Sequence, residues 1–128
     1  MMNCFERLIE LAELEGIAVC MDHRFPDGFI VFDNTDVYIA LKAGMEMGRT
    51  EFILGHELGH YFLEHNFRKT KADKAFEVRG SSVFANENFE AEANLFSKMI
   101  IQIGRCRDIT KEDVETIKES ILRNIHLH

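Results

Sequence analysis

Residues Phe52 to His65 read FILGHELGHYFLEH, an apolar run at helical spacing with His56, Glu57 and His60 set into its middle. Burying three such groups unpaired costs on the order of several kcal/mol, so the run predicts that they share a partner. Residues four apart lie on one helix face with Cβ atoms roughly 5–6 Å apart. The imidazoles of His56 and His60 can therefore converge on one tetrahedral cation, about 2.0–2.1 Å from each nitrogen. Glu57, one residue further round, can reach a water on that cation without being a ligand, which is where a general base belongs. A chance HExxH on a surface helix would sit among polar neighbours. Here the neighbours are Phe52, Ile53, Leu54, Leu58, Tyr61, Phe62 and Leu63. Gly59 costs about 1 kcal/mol against alanine in a helix interior, so a strand or a bound peptide is expected to come close to that face.

A catalytic zinc site takes a third protein ligand and keeps a fourth position open. His65 is nearest, but on a continuous helix it faces another way, and the extended pattern HExxHxxGxxH is broken by Leu63 and Asn66. His23, His126 and His128 are the remaining imidazoles. NFEAEANLF, Asn88 to Phe96, offers a better candidate. Glu90 and Asn94 form an i, i+4 pair beside the apolar stripe Phe89, Ala93, Phe96, Ile100, Ile103. A carboxylate could ligate there while the amide accepts the outer N–H of a ligating histidine. Glu92 competes, but a rotation of about 100° per residue points it nearly opposite to Glu90. Only one can reach the ion, and Asn94 favours Glu90.

Outward from these motifs the chain reads as one domain over residues 1–128, without repeats or linkers. Asn3 to Glu15 is an amphipathic helix on Phe5, Leu8, Ile9 and Ala12, with Asn3 as N-cap and Gly16 just past its end. Ile17–Met21 is a short strand, Phe25-Pro26-Asp27-Gly28 a turn, and FIVF-DNTD-VYIAL a hairpin with residues 33–36 as its loop. A helix follows from Met45 to His65, then an irregular stretch to Glu87 with a turn at Gly80-Ser81-Ser82. A second long helix runs from Asn86 or Asn88 to Ile103. The last helix is capped by Thr110, has Asp113 at its third position, an Ile109–Val114 staple, and the stripe Val114, Ile117, Ile121, Ile125. The fold class is α+β, a small three-stranded, mostly antiparallel sheet beside a helical body.

Composition narrows the function. A net charge of −7 disfavours direct nucleic-acid binding, which needs a basic footprint. The basic run RKTKADK, residues 68–74, reads as a solvated loop or a rim for an acidic partner segment. No apolar run approaches a membrane span, and the N-terminus does not read as a signal peptide. Cys4, Cys20 and Cys106 are too scattered for a disulfide framework or a thiolate metal site; they suit a reducing cytoplasm and read as small buried hydrophobes.

HELGHYFLEH followed about thirty residues later by ENFEAEANLF resembles the ImmA/IrrE family of metallopeptidases, in which RxxFxLxHELGHxxLxH precedes an ExxANxFA helix. Arg49, Phe52, His56 to His60 and Leu63 match the first pattern, and Glu90, Ala93, Asn94 and Phe96 the second. The likeness spans roughly residues 17 to 103. It departs at KMIIQIG, where the family has a leucine-rich segment ending in proline.

The resemblance implies a Zn²⁺ site with His56, His60 and Glu90 as ligands and Glu57 as catalytic base. It implies a zinc metalloendopeptidase in a bacterial or phage cytoplasm. Its substrate is expected to be a separate helix-turn-helix repressor. Beside the resemblance, the weakly patterned segment Phe76 to Phe84 reads either as a strand-addition site for an extended substrate or as a covering loop. Beyond the metal no residue is assigned to the oxyanion; Tyr38 and Tyr61 are the only phenols in the sequence, and Tyr61 is expected to pack behind the zinc helix. The alternative is a regulatory module that holds zinc and docks onto a repressor or antitoxin without cutting it.

Overall fold

The computed structural model describes residues 2–68 and 87–126. The basic run after Arg68, the turn at 80–82, the Phe76–Phe84 segment and His128 lie outside the described residues, as do the side chains of Arg68, Ile125 and His126. The elements are α1 (Cys4–Leu14), β1 (Ala18–Met21), β2 (Gly28–Asp33), β3 (Asp36–Leu41), α2 (Met47–Phe62), α3 (His65–Arg68), α4 (Glu87–Gly104) and α5 (Lys111–His126). The class is α+β.

Local chemistry sets the outer helices. Asn3 accepts from the Glu6 backbone N–H while the Glu6 carboxylate accepts from that of Asn3, a reciprocal capping box. The helix then ends into Gly16 at φ 75°, a backbone conformation with no steric cost for glycine. At α5, Thr110 and Asp113 form the same kind of box: the Asp113 N–H meets Thr110 Oγ1 at 3.2 Å, and the Thr110 N–H meets Asp113 Oδ2 at 2.8 Å. Val114, Ile117 and Ile121 bury the inner face of α5.

The sheet is mixed, in the order β1-β3-β2, which corrects the mostly antiparallel expectation. The tight Asn34-Thr35 turn makes β2 and β3 antiparallel, but β1 pairs with β3 in parallel, from Ala18↔Tyr38 to Met21↔Leu41. The chain leaves β1 and enters β2 at the same end of β3. Backbone bonds from Asp22 N to Leu41 O and from Lys42 N to Asp27 O tie that crossing down. Burial explains the central place of β3. Its Ile39, Ala40 and Leu41 are buried, whereas most of β1 is exposed and sits at an edge.

Helix α2 runs through the middle of the molecule, packed on α4, α1 and the sheet. Leu54, Leu58 and Leu63 are fully buried with Leu8, Ile30, Phe96 and Ile100 in one core. Each contributes roughly 1.5–3 kcal/mol by leaving water. The helix stops at Phe62, not at His65 as its apolar pattern predicts. Leu63 caps it, Glu64 turns left-handed at φ 58°, and His65 opens the short α3. No described helix is long and apolar enough to cross a membrane.

Candidate metal centre

The site begins with two glycines. A Cβ on Gly55 would stand 2.5 Å from Ser97 Oγ and 3.2 Å from Ser97 Cα, and one on Gly59 would stand 3.0 Å from Ala93 Cα and 3.1 Å from Ala93 O. Gly55 and Gly59 lie one turn apart and open a groove along α2 into which α4 seats Ala93 and Ser97. The close approach expected at Gly59 is thus made by a helix, not a strand or a peptide. Ser97 Oγ also donates to the Phe52 carbonyl at 2.6 Å, which fixes the rotation of α4 against α2.

That rotation carries Glu90 and Asn94 over the histidine face. Glu90 Oε2 lies 3.1 Å from His56 Nε2, Glu90 Oε1 lies 3.1 Å from His60 Nε2, and the two Nε2 atoms are 3.1 Å apart. Ligands about 2.0–2.1 Å from a tetrahedral ion are separated from one another by about 3.3 Å, and the two ring nitrogens, each facing its own oxygen of the Glu90 carboxylate, stand at nearly that spacing. On the far side of the ring, His56 Nδ1 lies 2.7 Å from Asn94 Oδ1. An amide oxygen only accepts, so Nδ1 carries the proton. Nε2 is then the nitrogen turned toward the Glu90 carboxylate, and a cation between them would be held by both.

The donor atoms of His56, Glu57 and His60 all lie within 4.8 Å of one another, and these residues could hold a metal ion. Glu90 stands closer to both imidazoles than that limit requires and is the better-placed carboxylate; Glu57 is left beside the cluster. Glu57 is only 4% exposed, and burial, opposed by His56 and reinforced by Glu90, pushes its carboxyl up to about 7. Burial alone would raise Glu90, but the facing imidazoles of His56 and His60 bring it down to about 2. His60 is driven down to about 4, chiefly by burial, which keeps its imidazole neutral. Burial also pulls His56 down, but Glu90, Glu57 and Asn94 outweigh it and raise that ring. The net pattern suits a cation: one neutral imidazole, one ionised carboxylate, and a second carboxyl ready to exchange a proton near neutrality.

These groups line a cavity of about 360 Å³ whose wall also includes Asp27, Gly28 and Phe29 at the start of β2, and Arg49, Phe52 and Ile53 from α2. Arg49 is its only Arg or Lys among the described residues and is paired with Asp27. Neither tyrosine lines it: the Tyr61 hydroxyl donates to Glu15 Oε1 at 3.1 Å behind α2, and Tyr38 is exposed on β3.

His65 departs most from expectation. The reversal at Glu64 returns its ring to α2, with His65 Nδ1 2.8 Å from His60 Nδ1, the nitrogen opposite the cluster. Its other nitrogen, Nε2, lies 2.9 Å from Glu92 Oε1. Glu92, the alternative to Glu90, therefore reaches the centre through His65. His23 is a largely exposed neighbour of Asp22. Of the cysteines only Cys4 is buried; Cys20 and Cys106 are exposed, contrary to the expectation of three buried thiols. Gly55 is a residue that sequence reasoning missed, although its four-residue spacing from Gly59 was the available signal.

No protein-family model matches the chain, and no curated protein or solved structure matches it either.

Proposed function

We propose that the chain is a zinc-dependent endopeptidase of the ImmA/IrrE kind, cutting a cytoplasmic protein such as a helix-turn-helix repressor. The observation that carries this reading is the meeting of His56, His60 and Glu90 at mutual distances of 3.1 Å, with buried Glu57 beside them on the wall of an open cavity. Two imidazole nitrogens and a carboxylate at that spacing favour Zn²⁺ over the hard, oxygen-seeking cations.

When bound, the ion supplies Lewis acidity, polarising a scissile carbonyl and making water nucleophilic near neutral pH. Glu57 takes the proton of the attacking water and passes it to the leaving amine, a role that its carboxyl near 7 suits. Among the described residues β2 pairs on one side only, with β3, and its first residues Gly28 and Phe29 line the cavity. An extended peptide can add to that edge and lay its backbone across the metal centre. Arg49 stands on the same wall as a cationic contact for substrate.

The test is direct. Purified protein is expected to carry about one zinc per chain. Glu57→Gln is expected to keep the metal and stop cleavage of a repressor encoded beside this gene. Zinc-free protein with an intact fold sinks the metal reading; a repressor left whole by the zinc-loaded wild type favours the non-cleaving module instead.

A further inference from the structure

We propose that His65 and Glu92 form a hydrogen-bonded relay that holds His60 in the tautomer and ring orientation needed to present Nε2 to the metal, making both positioning residues. The inference rests on the metal reading above and extends it to residues outside the ligand set.

Donor and acceptor roles run one way along the chain of groups. The Glu92 carboxylate only accepts, so the 2.9 Å contact makes His65 Nε2 the donor. With one proton on its ring, His65 then accepts at Nδ1, and the 2.8 Å contact makes His60 Nδ1 the donor. His60 is left with a bare Nε2, the atom 3.1 Å from Glu90 and from the Nε2 of His56. His56 has a different acceptor at its Nδ1, the Asn94 amide oxygen. Each histidine of the pair thus has its own outer partner, as metal-binding histidines generally do.

Two further observations point to a built relay. The His65 ring is fully buried and stacks on Phe89, with centroids 4.2 Å apart and planes 4° from parallel, so it cannot swing. The turn that delivers it passes through Glu64 at φ 58°, a region L side chains rarely adopt. Phe89 and Glu92 both come from α4, the helix that brings Glu90 and Asn94.

The experiment measures Zn²⁺ affinity of the full chain by competition with a chromophoric chelator, together with the visible spectrum of the Co²⁺-loaded protein. The variants are His65→Phe, His65→Gln and Glu92→Met, each checked for folding by circular dichroism. His65→Phe keeps ring stacking but has neither donor nor acceptor, and is expected to bind zinc roughly 10- to 100-fold more weakly with an altered cobalt spectrum. His65→Gln offers one amide acceptor and one donor and is expected to stay close to wild type. Glu92→Met, which fills the space without accepting, is expected to weaken binding in the same direction and decides the matter if His65→Phe does not fold. Wild-type affinity in His65→Phe and Glu92→Met, or equal losses in His65→Phe and His65→Gln, overturns the relay. A wild type that takes up no zinc overturns the metal reading itself, a different result.

Discussion

His56 on α2 and Asn94 on α4 are thirty-eight residues apart, yet Nδ1 of one lies 2.7 Å from Oδ1 of the other. That bond exists because two glycines let the helices nearly touch, and it ties helix packing to the chemistry of the imidazole pair. A change in that packing is expected to be felt at the imidazole pair.

Asn94→Ala removes the acceptor behind His56. Zinc affinity, read by chelator competition, is expected to fall roughly 10- to 100-fold, with little change in stability because Asn94 is exposed. Asn94→Asp keeps an acceptor and should retain most of the affinity. An alanine variant that binds zinc as wild type does would show that Asn94 has no orienting role.

Gly55→Ala adds a methyl that must displace Ser97, whose hydroxyl is held by the Phe52 carbonyl. Alanine gains about 1 kcal/mol of helix propensity, but overpacking costs about 1–3 kcal/mol. Net destabilisation in urea unfolding is therefore expected. Ser97→Ala in the same chain should recover part of it by removing the nearest atom.

Asp113 links the α5 cap to pH. The Arg107 guanidinium first, then the Thr110 backbone N–H, holds its carboxyl below the ordinary aspartate value. A depressed carboxyl stabilises the fold at pH values above its unfolded pKa, near 4, and loses that contribution as pH falls through the folded value. Asp113→Ala is expected to cost about 1 kcal/mol at pH 7, the usual loss for a broken cap. The gap between the two proteins should narrow as denaturation is repeated from pH 5 downward; a gap independent of pH would remove the carboxylate from the account.

Thiol titration separates the cysteines. Cys20 and Cys106 are exposed and should react with an aromatic disulfide reagent in the native protein. Cys4 is buried, and burial with Glu51 nearby pushes its thiol up to about 11, so it should react only on unfolding.

The mixed sheet and the α2 terminus show where local patterns stop being informative. The strands were legible as apolar runs between turn signals, but their order was not: β3 takes the centre because its Ile39, Ala40 and Leu41 bury best, a comparison among strands that none of them carries alone. Helix α2 was expected to reach His65 because the apolar pattern continues past Phe62. The reversal falls on Glu64, with no glycine to mark it.

By itself the amino-acid order determined what one helical turn can hold: His56 beside His60 on one face, Glu57 next to them, Glu90 in line with Asn94, and the caps at Asn3 and Thr110. These follow from a repeat of 3.6 residues and from hydrogen bonds between near neighbours. Only the tertiary structure decided which α4 carboxylate meets the imidazoles, and that His65 and Glu92 stand behind His60. Those outcomes depend on how closely and at what rotation α2 and α4 pack, which Gly55, Gly59, Ala93 and Ser97 set together across a distance in sequence that no local pattern spans.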